Sequence, residues 1–140
     1  MHCCSRFAAN DVAMNLQGKR ILVIDDEPDI REFVSYNLSR RGFIVVSAAD
    51  GISGYELAVK FEPDLILLDI LMPGLNGYET CMKLRENPQF AKTQIVFLSA
   101  LNQSYAKDLG FKMDADAYLT KPVRMEFLVR RVEQWMRNAG

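Results

Sequence analysis

Short aliphatic runs that end on acids constrain this chain's fold more than any other feature. Ile21–Ile24 (ILVI) runs into Asp25, Asp26 and Glu27, and Leu65–Leu68 (LILL) runs into Asp69. Runs this short and this apolar suit strands buried on both faces, the pattern of parallel sheets. The acids then stand at the carboxyl ends of strands, the edge at which open α/β sheets bind ligands. The full reading gives strands at Arg20–Asp25, Phe43–Ala49, Asp64–Asp69, Gln94–Ser99 and Ala117–Thr120.

Helical periodicity fills the gaps between strands. A first helix opens at Pro28, carries Ile30, Phe33, Val34 and Leu38 inward and is stopped by Gly42. A second spans Ile52–Phe61, with Tyr55, Ala58 and Val59 inward and Pro63 beyond it. After the turn-rich MPGLNG come helices at Tyr78–Glu86, with Cys81 in the core, at Tyr105–Met113, the weakest, and at Arg124–Arg137, with Leu128, Val132, Trp135 and Met136 inward. Five β-α units with right-handed crossovers make a doubly wound α/β fold, a five-stranded parallel sheet with helices on both faces.

At 140 residues, 49% hydrophobic, the chain has material for one core. Residues 18–140 are expected to form the domain and residues 1–17 a disordered tail, with Met14 an alternative first residue. His2-Cys3-Cys4 has no second Cys or His pair at zinc-finger spacing and belongs to that tail. Seventeen basic against eighteen acidic residues leave a net charge of -1, which excludes the basic excess of non-specific nucleic-acid binders. An odd number of cysteines, three, points to a reducing, cytoplasmic setting, and no apolar stretch is long enough to span a bilayer.

Asp25 and Asp26, Asp69, Ser99 and Lys121 all stand at strand carboxyl ends and converge on one edge of such a sheet. Crowded carboxylates repel one another, and a divalent cation relieves the repulsion. Oxygen-only ligands select a hard ion, Mg²⁺ with Mn²⁺ as a substitute, which shares phosphate oxygens. Ser99 and Lys121 are of the kind that stabilise a transferring phosphoryl group, and one carboxylate outside metal ligation can be the nucleophile. The structural alternative is that the aspartate pair only caps the helix that begins at Pro28.

The motifs VIDDE, LLDILMPGLNGYE, VFLSA and AYLTKPV, in this order and spacing, resemble the receiver domain of two-component response regulators over roughly residues 19–138. The resemblance implies the flavodoxin-like strand order 2-1-3-4-5. It implies that Asp69 becomes an aspartyl phosphate and that Asp26 ligates the metal directly. Asp25 would hold the metal partly through water, and the Leu71 carbonyl would complete the protein ligands, Asp69 among them. Lys121 would pair with Asp69 and then with its phosphoryl oxygens, Ser99 would be the switch hydroxyl, and Tyr118 the aromatic that follows it. Lys121-Pro122 resembles the family's cis peptide. Leu71 and Leu101 match sites that tune phosphoryl lifetime. Asp114 stands where many relatives have Gly, and Ala117 interrupts the acid pair that commonly precedes the aromatic in DNA-binding relatives.

The partners so implied are a sensor histidine kinase or phosphotransfer protein and an effector at the face made by the expected helices Tyr105–Met113 and Arg124–Arg137 and the strand Ala117–Thr120 between them. Direct nucleic-acid binding and a membrane are not expected. The chain would be a phosphoacceptor regulator, not an enzyme turning over a separate substrate, either stand-alone or part of a longer protein. Two rivals stay open. One is a phosphohydrolase of the haloacid dehalogenase kind, whose Asp-x-Asp is absent at Asp25-Asp26-Glu27. The other is a binding module that has lost phosphorylation.

Overall fold

The computed structural model describes residues 16–100 and 115–139. Five strands, β1 (Arg20–Ile24), β2 (Ile44–Ala48), β3 (Leu65–Leu68), β4 (Gln94–Ser99) and β5 (Ala117–Thr120), form one sheet in the order β2-β1-β3-β4-β5. Every pairing is parallel. The helices are α1 (Pro28–Ser39), α2 (Gly51–Phe61), α3 (Gly77–Glu86) and α4 (Met125–Ala139), with a 3-10 turn at Pro88–Phe90. This is the doubly wound fold expected from the alternating pattern, in the flavodoxin-like strand order that the resemblance implies. The expected helix at Tyr105–Met113, residues 1–15, Leu101 and Asp114 lie outside the described residues.

The strict two-residue alternation of a strand divides the aliphatic residues between two cores. Ile21, Val23, Leu65, Leu67, Val96 and Leu98 pack against Val34 and Leu38 of α1 and Leu128, Val132 and Met136 of α4. Leu22, Ile24, Ile66, Leu68, Ile95 and Phe97 pack against Ala58 of α2 and Cys81 and Leu84 of α3. Both sheet faces are therefore dry, which is why Ile21–Ile24, Leu65–Leu68 and Ile95–Leu98 carry no polar residue.

Two helix faces differ from expectation. Phe33, expected inward, is 56% exposed, because Val34 and Leu38, one turn apart, centre the buried stripe and Phe33 lies about 100° round the helix from Val34. Val59 is likewise exposed, since α2 buries Gly51, Gly54 and Ala58. A Cβ on Gly54 would sit 2.6 Å from the end of the Ile24 side chain, so small residues let α2 lie close to β1. Leu16, inside the segment assigned to the tail, is buried in the α1/α4 core, and Gly18 donates its backbone N–H to Gly42 at 3.0 Å.

Helix ends explain why the elements start where they do. Asp50 caps α2, accepting from the Ser53 backbone N–H at 2.8 Å, and Asn76 and Glu79 form a reciprocal capping box on α3. At the far end of α2, Glu62 takes a left-handed conformation at φ 55°, after which Pro63 prevents the helix from continuing.

Hydrogen bonds from the Ser53 backbone and hydroxyl hold the Asp50 carboxyl below its ordinary pKa. A lowered carboxyl contributes stability above the unfolded-state pKa and loses it as pH falls through the folded value. Asp50→Ala is expected to cost about 1 kcal/mol at neutral pH in urea denaturation. The gap from wild type should shrink as pH falls below the ordinary aspartate range.

Candidate functional site

The backbone ladders run one residue past the strands and thereby deliver the acids. Asp25 donates its N–H to the Ala48 carbonyl at 3.1 Å, and Asp69 donates to Ile24 at 2.9 Å, so the two aspartates leave adjacent strands at the same level. Their side chains are buried. On the other side of the sheet, Lys121 donates its N–H to Ser99 at 2.8 Å, one step beyond the Ser99–Thr120 pair. The Lys121-Pro122 peptide is cis, as the resemblance implied.

Lys121 brings the three strands together. Its Nζ lies 2.8 Å from Asp25 Oδ2, 2.9 Å from Glu27 Oε1 and 3.3 Å from Asp69 Oδ2. Burial works to lower the lysine's pKa, but the hydrogen bonds to Asp25 and Glu27 and the charges of Asp69 and Asp25 outweigh it, so the ammonium is held charged. Burial raises the Asp25 pKa, and Asp69 adds to that effect; hydrogen bonds from Lys121 and from the Glu27 N–H, 2.9 Å from Oδ1, work against it.

The helix-cap alternative for the aspartate pair does not describe this geometry. Glu27 occupies the N-cap position of α1 and makes no side-chain cap, while Asp25 accepts from Glu27 and from Lys121 across the sheet. Arg31, which the sequence reading passed over, donates to the Asp25 carbonyl at 2.7 Å and ties the first turn of α1 to the site. Among the described residues, the acids whose oxygens lie within 4.8 Å of one another are Asp25, Glu27 and Asp69. Asp26, the expected direct ligand, is half-buried beside this group and not within it. Glu27 belongs to the VIDDE motif, but nothing in the motif itself marks it as a partner of a lysine 94 residues away.

The loop after Asp69 is shaped by a glycine. Gly77 donates to the Ile70 carbonyl at 2.9 Å, and a Cβ there would overlap the Asp69 carbonyl oxygen and meet Ile70 Cα at 2.6 Å. The loop therefore folds back tightly on the residue that carries the carboxylate. Leu71 donates its N–H to Asp69 Oδ1 at 3.3 Å and leaves its side chain 52% exposed.

Among the described residues, two hydroxyls at the same edge are buried and make no hydrogen bond: Ser99 Oγ, at the strand end where the sequence places it, and Thr120 Oγ1, which sequence reasoning missed. Ser99 and Thr120 are direct partners across β4 and β5. Tyr118 is half-buried, its ring centroid 6.4 Å from that of Phe97, which stacks edge-on with Tyr78 at 5.5 Å. Burial, then Tyr78 and Asp69, raise its phenol pKa.

These residues fit a hard divalent cation. The donors are all oxygen, the carboxylates are close and partly desolvated, and an unpaired hydroxyl stands beside them for an anionic oxygen. Without the cation, Lys121 is the charge that offsets the buried acids. Lys121→Met should therefore destabilise the protein in EDTA by about 3–5 kcal/mol, the cost of stranding buried charge. Adding Asp25→Asn to that variant should recover part of the loss in urea denaturation.

Comparison with known proteins gives one consistent answer. The family model described as the response regulator receiver domain matches residues 21–133. The chain is 44% identical over 119 residues to the DNA-binding dual master transcriptional regulator RpaA of Synechocystis sp., covering 85% of this chain and 49% of that protein. It is 39% identical over 122 residues to the alkaline phosphatase synthesis transcriptional regulatory protein PhoP of Bacillus subtilis, covering 87% and 50%. The chain thus spans about half the length of the curated relatives it matches. Among solved structures, the chemotaxis protein CheY4 of Vibrio cholerae superimposes with a TM-score of 0.80 at 31% identity, covering 84% of this chain and 98% of that one.

Proposed function

Because the chain belongs to the response regulator receiver domain family, we propose that it is a phosphorylation-driven signalling switch with Asp69 as phosphoacceptor. One observation carries the reading: buried carboxylates from β1 and β3 meet a lysine from β5, beside a buried hydroxyl on β4 that has no partner. An Asp69 carboxylate oxygen attacks the phosphorus of a phosphohistidine on a sensor histidine kinase or phosphotransfer protein. The P–N bond breaks, and its electron pair leaves on the imidazole nitrogen.

Asp25, Asp26, Asp69 and the Leu71 carbonyl would hold Mg²⁺, or Mn²⁺. Bound there, the ion supplies neutralisation of the phosphoryl charge. Lys121 neutralises a further phosphoryl oxygen. The Ser99 hydroxyl turns from its dry site to donate to an oxygen of the new phosphoryl group, and Tyr118 follows it. The changed face is read by an effector protein at β5, α4 and the predicted helix Tyr105–Met113.

Nothing in this chemistry needs a separate substrate, so the domain is a regulator that catalyses its own phosphorylation and dephosphorylation. We place it in the cytoplasm, in keeping with its family; no helix among the described residues is long and apolar enough to cross a membrane. RpaA and PhoP are named as transcriptional regulators. In this chain the balance of charge supports protein contact and not direct nucleic-acid binding by the receiver itself.

Asp69→Asn is expected to abolish modification by acetyl phosphate in Mg²⁺, because an amide is a poor nucleophile. Intact-mass measurement checks this, and full modification of the variant refutes the assignment. Phosphoryl lifetime should be long, since the Leu71 side chain at the mouth offers an attacking water no hydrogen bond. Leu71→Asn should shorten it about tenfold, equivalent to roughly 1.4 kcal/mol of barrier. Decay after removal of the phosphodonor measures the change, and an unchanged half-life shows that Leu71 does not gate the water.

A further inference from the structure

The ammonium of Lys121 stands among the same oxygens that a divalent cation would use. Its contacts to Asp25 and Asp69, at 2.8 and 3.3 Å, cannot survive unchanged beside a doubly charged ion, whose repulsion of an ammonium is twice that of a single charge at equal distance. Its third contact is of a different kind. Glu27 holds Nζ at 2.9 Å from a side chain that is 58% exposed, whereas those of Asp25 and Asp69 are 3% and 4% exposed. The Asp25 and Asp69 carboxylates are therefore fixed in the sheet edge, and that of Glu27 is on a long side chain at the mouth, able to move with its partner.

Glu27 also gives up a local role to make this contact. It sits at the N-cap of α1, where a carboxylate is ordinarily stabilised by the helix's first N–H groups, yet it makes no capping bond and reaches instead to a residue 94 positions away. We propose that Glu27 is a positioning residue for Lys121. When a divalent cation takes Asp25 and Asp69, Glu27 retains the displaced ammonium at the pocket mouth, within reach of an incoming phosphoryl oxygen. The inference rests on the switch reading above and assigns Glu27 a part outside the metal ligands, although its oxygen lies close enough to Asp25 and Asp69 to be one.

The test uses the unphosphorylated chain with no phosphodonor. Wild type and Glu27→Gln, a nearly isosteric change at an exposed side chain, are acetylated with N-hydroxysuccinimidyl acetate, and modification of Lys121 is read by peptide mass. In EDTA, where Asp25 and Asp69 still hold the ammonium, loss of the Glu27 contact should speed labelling by no more than about threefold, the worth of an exposed ion pair. In saturating Mg²⁺ the variant should label about tenfold faster, the value of one charge-assisted hydrogen bond. Calorimetric Mg²⁺ affinity should stay within about threefold of wild type, because a charge outside the ligand set acts on the ion only at long range.

Equal labelling in Mg²⁺, or an acceleration of the variant in EDTA as large as that in Mg²⁺, overturns the proposal. A loss of Mg²⁺ affinity of about tenfold, whatever the labelling, makes Glu27 a ligand and overturns it as well. Failure of wild type to bind Mg²⁺ removes both this inference and the switch reading. Binding without the labelling difference removes this inference alone, and failure of acetyl phosphate to modify Asp69 removes only the assignment of the phosphoacceptor.

Discussion

The ion pair between Lys121 and the buried Asp25 and Asp69 is the interaction on which the site depends. Two carboxylates at the dry end of a parallel sheet are costly, each by several kcal/mol, unless a cation is supplied. The fold supplies one from its far edge: β5 lies two strands from β3 and three from β1, and the lysine leaves it where the Ser99 carbonyl receives its N–H. The geometry of the acids is thus tied to the order of the whole sheet. Any change that separates β5 from β4 also strands negative charge on β1 and β3.

Close approach does as much as charge to hold this arrangement. Gly77 lets the loop after Asp69 fold onto its own carbonyl, and Gly51 and Gly54 let α2 lie against β1 and the α3 side. The backbone on either side of the acids is consequently held by contacts that leave no room for a methyl group. The two cores differ. Mostly aliphatic side chains, with Phe43 and Trp135, fill the α1/α4 face, while on the other face the aromatic row of Tyr78, Phe97 and Tyr118 leads toward the hydroxyls of Ser99 and Thr120.

Much of this was legible before any coordinates. The bounds of β4 and β5 and the buried residues of α1 and α4 followed from short apolar runs and helical spacing, because burial on both faces leaves a signal that needs no tertiary knowledge. Phe33 and Val59 were misplaced for a definable reason. Phe33 is a large apolar residue lying outside the stripe centred on Val34 and Leu38, and Val59 stands out on α2 only because that helix buries glycines and an alanine, which carry little hydrophobic signal. The cap at Asp50 and the capping box of Asn76 and Glu79 were readable as local patterns and passed unread.

By itself the sequence determined which groups stand at the strand ends, because strand length and polarity decide where each apolar run stops. Asp25, Asp69, Ser99 and Lys121 are where that rule puts them. Only the tertiary structure decided which of those groups touch. Glu27 and not Asp26 shares Lys121 with the buried aspartates, and Arg31 reaches the Asp25 carbonyl. Thr120 joins Ser99 as a second buried, unpaired hydroxyl. The physical reason is that side-chain reach across strands depends on register, helix entry angle and the torsions of a long acid or lysine. The contacts of Lys121 join residues 52 to 96 positions apart, and no local pattern encodes them.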